Sequence, residues 1–197
     1  MTKEQFDIFW KTNYPGTIPI SHCFKYDFPE RWLRIHSLPE SKRYPETQEE
    51  WEILLSRQNK IINDLLGYKT TILVVIGEYF FEGQEPYDIL ESEYSLEDCS
   101  LVSLNPIDLH KLWPDEHDKG QLFIAKFCQQ VWIPKRFDKL LKDIAQYYLR
   151  AFFVSLENKY IIAPYDGGMD IILNDTKTRD HYKEKYKLWL SPRSDGF

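Results

Sequence analysis

The stretch from Arg31 to Gly67, RWLRIHSLPESKRYPETQEEWEILLSRQNKIINDLLG, joins a short basic and aromatic segment to the best-patterned helix of the chain. Its second half reads as a helix. Thr47 is a good N-cap, and Glu50, three residues later, completes a capping box. Trp51, Leu54, Leu55, Ile61, Ile62, Leu65 and Leu66 recur at helical spacing, with Gln58 the one polar residue on that stripe. Gly67 follows, where a left-handed residue closes a helix. The first half, Arg34 to Glu46, is no regular element. Just before and at its start, Trp32 alternates with Arg31 and Leu33, which suits a short strand.

Downstream, Thr70 to Phe81 is rich in β-branched residues and continuously apolar at its centre. It reads as a central strand buried on both faces. Gln121 to Ile133 reads as a second strand. Pro134 then opens a helix with Phe137, Leu140, Leu141, Ile144 and Tyr148 on its stripe. Ala151–Val154, Tyr160–Ala163 and Met169–Leu173 form an antiparallel meander. Its turns fall at Glu157-Asn158 and Tyr165-Asp166-Gly167-Gly168, where Asp-Gly favours a type I′ hairpin with positive φ. Asp175 caps a last helix. Upstream, Thr2 and Gln5 form a capping box on a first helix, with Phe6, Phe9 and Trp10 on one face and Pro15-Gly16 at its end. The expected fold class is α+β: a single domain over residues 1–197. About five or six mainly antiparallel strands are covered by helices starting near Gln48, Lys135 and Thr176. The first helix, within residues 1–16, is placed at the periphery.

The totals bound the function. A chain of 197 residues suits one large domain, and a net charge of −6 argues against nucleic-acid or anionic-membrane binding. Cys23, Cys99 and Cys128 are far apart and form no CxxC pair, so free thiols in a reducing compartment are expected. The N-terminus lacks the pattern of a signal peptide, and the run Ile72–Ile76 is too short to span a bilayer, so the expected location is the cytoplasm. No phosphate-loop, dinucleotide, zincin, EF-hand or nucleophile-elbow motif is present, and neither a cofactor nor a metal is expected. His117, between Glu116 and Asp118, reads as exposed loop polarity.

Three groups stand out. Glu78 to Asp98 is acidic and no Lys or Arg interrupts it; Glu82, Glu85, Asp88, Glu91 and Glu93 are the candidates for a face that meets a basic partner. Arg34, His36, Ser37, Lys42, Arg43 and Tyr44 offer a set that clamps phosphate or carboxylate, or pairs with nearby glutamates. Tyr165, Asp166 and Asp170 surround the hairpin turn, as turn formers or as acceptors beside it. The first of these last two groups places Lys42 and Arg43 at the positive end of the long helix, so Asp166 and Asp170 are expected to pack near it.

Two stretches, Arg34-Ile35-His36-Ser37-Leu38-Pro39-Glu40-Ser41-Lys42-Arg43-Tyr44 and Ala163-Pro164-Tyr165-Asp166-Gly167-Gly168-Met169-Asp170-Ile171-Ile172, resemble two signatures of a bacterial domain-of-unknown-function family. The segment Lys185–Leu190 resembles its C-terminal end. The resemblance covers the chain from about Trp32 onward and implies a cytoplasmic bacterial protein. It carries no activity and no catalytic residue with it.

The leading expectation is a non-catalytic protein-binding module, such as a toxin-immunity-type protein with a basic partner. The alternative is a hydrolase or a phosphate- or carboxylate-binding enzyme using the Arg34–Arg43 and Asp166–Asp170 stretches. A DNA-associated role is the weaker third.

Overall fold

The computed structural model describes residues 1–86, 99–191 and 193. The elements run α1 (Lys3–Asn13), α2 (Phe24–Asp27), β1 (Trp32–His36), α3 (Gln48–Leu66), β2 (Thr71–Phe81), β3 (Val102–Ser103), β4 (Ile107–Asp108) and α4 (Leu109–Leu112). They continue with β5 (Gln121–Val131), α5 (Asp138–Ala145), β6 (Arg150–Ser155), β7 (Ile161–Tyr165), β8 (Gly168–Ile172) and α6 (Thr176–Lys185). The described strands form one eight-stranded antiparallel sheet in the order β1-β8-β7-β6-β2-β5-β3, with β4 also paired to β5. The fold is therefore α+β. β3 falls within Leu101–Leu104, which reads as a short strand in the sequence, whereas β4 is a two-residue pairing set by β5, too short for any periodicity.

β2 lies between β5 and β6, with Val74 opposite both Cys128 and Phe153. Having neighbours on both edges and helices on both faces, it buries Ile72 through Ile76 without a break. Alternation sends Ile72, Val74 and Ile76 into one core and Leu73 and Val75 into the other. The first core lies under α3 and α5, around the fully buried Trp132. The second core is aromatic and lies under α1, α2 and α4.

The first helix is not peripheral. Phe6 and Trp10 are buried, Phe6 stacks 4.5 Å from Phe127, and just beyond the helix the Tyr14 hydroxyl donates to the Lys159 carbonyl at 3.0 Å. Its apolar face is the lid of the second core.

Both capping boxes form, at Thr2–Gln5 and Thr47–Glu50. Gly67 closes α3 with φ 86° and ψ 157°, a conformation only glycine takes easily. α5 begins at Asp138 instead of near Pro134. The preceding turn is pinned to α3, because the Lys135 N–H donates to the Asn59 side chain at 2.6 Å and Asn59 donates to Asp138 at 2.7 Å. Because α5 ends at Ala145, Tyr148 leaves the expected stripe and is exposed.

The cysteines depart from expectation too. Cys99 and Cys128 form a disulfide, and Cys23 alone is free and buried. Cys99 comes just before β3, which pairs with β5 at Val102 opposite Phe127, and this brings it beside Cys128. Spacing in sequence does not reveal that pairing. Among the described residues, no helix is long and apolar enough to cross a membrane.

Candidate functional site

The site grows from one rung of the sheet edge. Arg34 of β1 and Asp170 of β8 are Cα partners. Side chains directly opposite on an antiparallel pair share a face, so their charged ends meet. The Arg34 Nε donates to Asp170 Oδ1 at 2.7 Å and its Nη2 to Oδ2 at 2.8 Å, while Trp32 Nε1 adds a third bond at 2.8 Å. Burial opposes the Arg34 charge, but pairing with Asp170 outweighs it and holds the pKa above the ordinary arginine value. The guanidinium also lies 4.8 Å from the Tyr165 ring centre. Burial pushes the Tyr165 hydroxyl well above the usual tyrosine range.

A second pair sits at the hairpin turn. Glu40 and Ser41 both have left-handed φ values, 55° and 57°, in the turn before Lys42. That turn redirects the chain, and Arg43 Nε then donates to Asp166 Oδ2 at 2.8 Å and the Tyr44 hydroxyl to the same oxygen at 3.0 Å. The expected adjacency of the two stretches is thus direct contact.

Gly167 and Gly168 do not have the positive φ expected of a type I′ turn. Gly168 is needed for close approach instead: a Cβ there would stand 2.1 Å from the Ile35 carbonyl oxygen.

These groups form one wall of a cleft of about 280 Å³. Arg34, Arg43, Tyr165, Asp166 and Asp170 line it. Tyr44, half exposed, reaches Asp166 from its edge. The opposite wall comes from Ser21, His22 and Lys25 around the start of α2, and from Tyr147 and Arg150 where α5 passes into β6. The Arg150 Nη2 donates to the Tyr147 hydroxyl at 2.9 Å, and its guanidinium lies 5.0 Å from the Tyr79 ring and 5.1 Å from the Tyr147 ring. Burial, then the charges of Arg150, His117 and Lys25, hold the His22 pKa below the ordinary value.

Three expected members lie elsewhere. The Ser37 hydroxyl is buried and accepts from Gln58 Nε2 at 2.9 Å, which explains the polar residue on the α3 stripe. Lys42 bonds Glu46 and Glu50 at 3.0 and 2.7 Å, so it serves the cap of α3. His36 borders a separate depression with Leu38, Glu40 and Leu188. Burial and the Arg34 and Arg57 charges hold its pKa below the ordinary value.

Of the acidic candidates, Glu82 and Glu85 are exposed, while Asp88, Glu91 and Glu93 lie outside the described residues. Glu78 is no part of an exposed face: it is buried, 3.5 Å from Lys126.

His22, Lys25, Tyr147 and Arg150 are the cleft residues that sequence reasoning misses. The one local signal was the pair Tyr147-Tyr148, polar-tipped rings just past an amphipathic helix and beside Arg150.

Two aspartates are bound to two arginines, and Lys25 and Arg150 lie on the facing wall. Both carboxylates are already accepting from guanidinium groups, so the arrangement suits holding a ligand better than moving a proton. Among the described residues, no three His, Cys, Asp or Glu side chains converge as metal ligands.

The family follows from a match over most of the chain. The chain belongs to the family described as Domain of unknown function (DUF3885). The DUF3885 model matches residues 20–194, a range that spans every cleft residue named above and begins after α1. No curated protein and no solved structure matches the chain.

Proposed function

We propose that the chain is a non-catalytic binding protein whose cleft holds an anionic group, phosphate or carboxylate. One observation carries this reading. The cleft lining holds four cations, Lys25, Arg34, Arg43 and Arg150, against two carboxylates, Asp166 and Asp170, in a protein of net charge −6. A concave site whose lining carries more of one sign of charge favours ligands of the other sign. The aspartates hold Arg34 and Arg43 in place, and Arg150 makes no ion pair with a carboxylate among the described residues.

Calorimetric titration of the whole chain with inorganic phosphate at low ionic strength tests this. Saturable binding that is lost in Arg150→Gln is expected. Absence of binding, or equal binding by the variant, overturns it.

A second reading is a protein-binding module of the toxin-immunity kind, with the acidic run turned to a basic partner. The exposure of Glu82 and Glu85 favours it. A pull-down in low and moderate salt checks it. Recovery of a basic protein only at low salt supports a charge-steered interface.

A further inference from the structure

We infer that the ligand is a small phosphate monoester that bears a planar aromatic ring, with its phosphate at Arg150 and its ring against Tyr147. This rests on the anion-binding reading and narrows it by charge, shape and backbone.

Charge selects the anion. Asp170 and Asp166 match Arg34 and Arg43, and Arg150 is the lining guanidinium with no carboxylate partner among the described residues. A carboxylate offers that guanidinium two oxygens, whereas a phosphate monoester offers three and carries about −1.5 to −2 near neutral pH. Arg34 and Arg43 each commit Nε and Nη2 to an aspartate. Arg150 commits only Nη2 among the described residues, to the Tyr147 hydroxyl. Guanidinium presents five donors in a rigid fork that fits phosphate, so most of the Arg150 fork faces no acid. Ring faces hold this guanidinium in position without cancelling its charge.

Shape selects the ring. Besides Ser21 and His22, the rest of the lining is apolar, formed by Ile144, Leu149, Ala163 and Pro164 with the faces of Tyr147 and Tyr165. A bare phosphate leaves that surface wet. The volume of about 280 Å³ lies just under the range of about 300–1,000 Å³ common for small-molecule sites, which suits a small ligand of one ring system and one phosphate.

The backbone of Tyr147 is the independent observation. Its φ is 67°, in the left-handed region, where a bulky aromatic residue is a conformational outlier. Strain of this sort concentrates at ligand clamps. Tyr147 stays 61% exposed, so the conformation holds a large ring at the mouth of the cleft without burying it in the core.

The test is calorimetry on the whole chain with four probes: inorganic phosphate, phenyl phosphate, adenosine 5′-monophosphate and benzoate. Phenyl phosphate or the nucleotide is expected to bind at least about tenfold tighter than inorganic phosphate, and benzoate at least about tenfold weaker than phenyl phosphate. Whichever aromatic phosphate binds better identifies the ring as aryl or base. Arg150→Gln is expected to weaken both aromatic phosphates at least about tenfold, and Tyr147→Leu to bring them down to the level of inorganic phosphate. Inorganic phosphate binding as tightly as both ring compounds overturns the inference and leaves the anion reading standing. Benzoate matching phenyl phosphate overturns the choice of a dianion. No binding of any probe overturns both readings. The four probes on the unaltered chain decide by themselves, so a variant that fails to fold does not remove the test.

Discussion

Arg34 and Asp170 occupy one rung of the sheet, and the guanidinium meets the carboxylate side on, with bonds of 2.7 and 2.8 Å. The two side chains are only 13% and 8% exposed. A two-pronged pair this far from water is strong only while both members are present. It joins the last strand of the sheet to the first one read in sequence, and it fixes the inner wall of the cleft.

Removing either member strands the other's charge. Arg34→Met or Asp170→Leu alone is expected to cost about 3–5 kcal/mol, and the double variant clearly less than the sum. Urea denaturation of the four proteins measures the coupling. A value within a few tenths of a kcal/mol of zero would show that each group finds water when its partner is gone.

The second pair is lopsided. The Arg43 side chain is 61% exposed and the Asp166 side chain 3% exposed. Losing Asp166 leaves a guanidinium that water solvates. Losing Arg43 leaves a buried carboxylate with, among the described residues, the Tyr44 hydroxyl as its side-chain donor. Arg43→Ala should therefore destabilise by about 1–3 kcal/mol, and Asp166→Asn, which preserves the turn, by less. The reverse order in denaturant melts would mean that Asp166 holds the turn by more than its bond to Arg43.

Gly168 and Gly77 offer a steric comparison. A Cβ at Gly77 would meet Phe123 Cζ at 2.3 Å, but at Gly168 it would meet the Ile35 carbonyl oxygen at 2.1 Å. A ring shifts more readily than a strand backbone paired to its neighbour. Both alanine variants should destabilise, by about 1–3 kcal/mol for Gly77→Ala and more for Gly168→Ala, which must part β1 from β8. Thermal melts of the two variants rank them.

The elements legible in the sequence are those written locally. Thr47, Glu50 and the stripe to Leu66 specify α3 within one stretch, and the apolar run of β2 specifies a strand with two neighbours. The adjacency of Arg43 and Asp166 was also legible, since a basic segment at a helix N-terminus needs acid from somewhere. What escaped was convergence that depends on strand order. β1 pairs with β8 across most of the chain, and β6 brings Arg150 to the same end of the sheet. Apart from the Tyr147-Tyr148 pair beside Arg150, no pattern near Arg150, His22 or Lys25 points to that convergence. Cys99 and Cys128 were misread for the same reason: their pairing follows from β3 lying along β5.

That bridge spans a sequence separation of 29 residues. Closing a loop of that length in the unfolded chain is worth about 3–4 kcal/mol in the chain-entropy account. Reductant should lower the urea midpoint of the protein, and Cys128→Ala should be insensitive to it. Thiol trapping in freshly broken cells then places the protein. Reduced Cys99 and Cys128 mean the cytoplasm expected from the N-terminal sequence, and an intact bridge means an oxidising compartment.

His22 reports on the cleft through its charge. Burial holds its pKa below the ordinary value, Arg150, His117 and Lys25 add to this, and Glu116 opposes it. The Tyr79 hydroxyl stands 3.4 Å from its Nδ1, and burial pushes that hydroxyl up to about 12, so it stays neutral throughout the histidine range. In the unfolded chain the imidazole takes up a proton as pH falls through about 6.5, and the folded chain resists until its own lower pKa. Stability must therefore fall as pH drops through that window and rise again with pH, and His22→Gln should remove this part of the slope. A phosphate dianion in the cleft reverses the balance, because negative charge favours imidazolium. NMR titration of the His22 ring in saturating phenyl phosphate should give a higher pKa than in the ligand-free protein. An unchanged or lower value would mean that the phosphate sits away from the His22 and Arg150 wall.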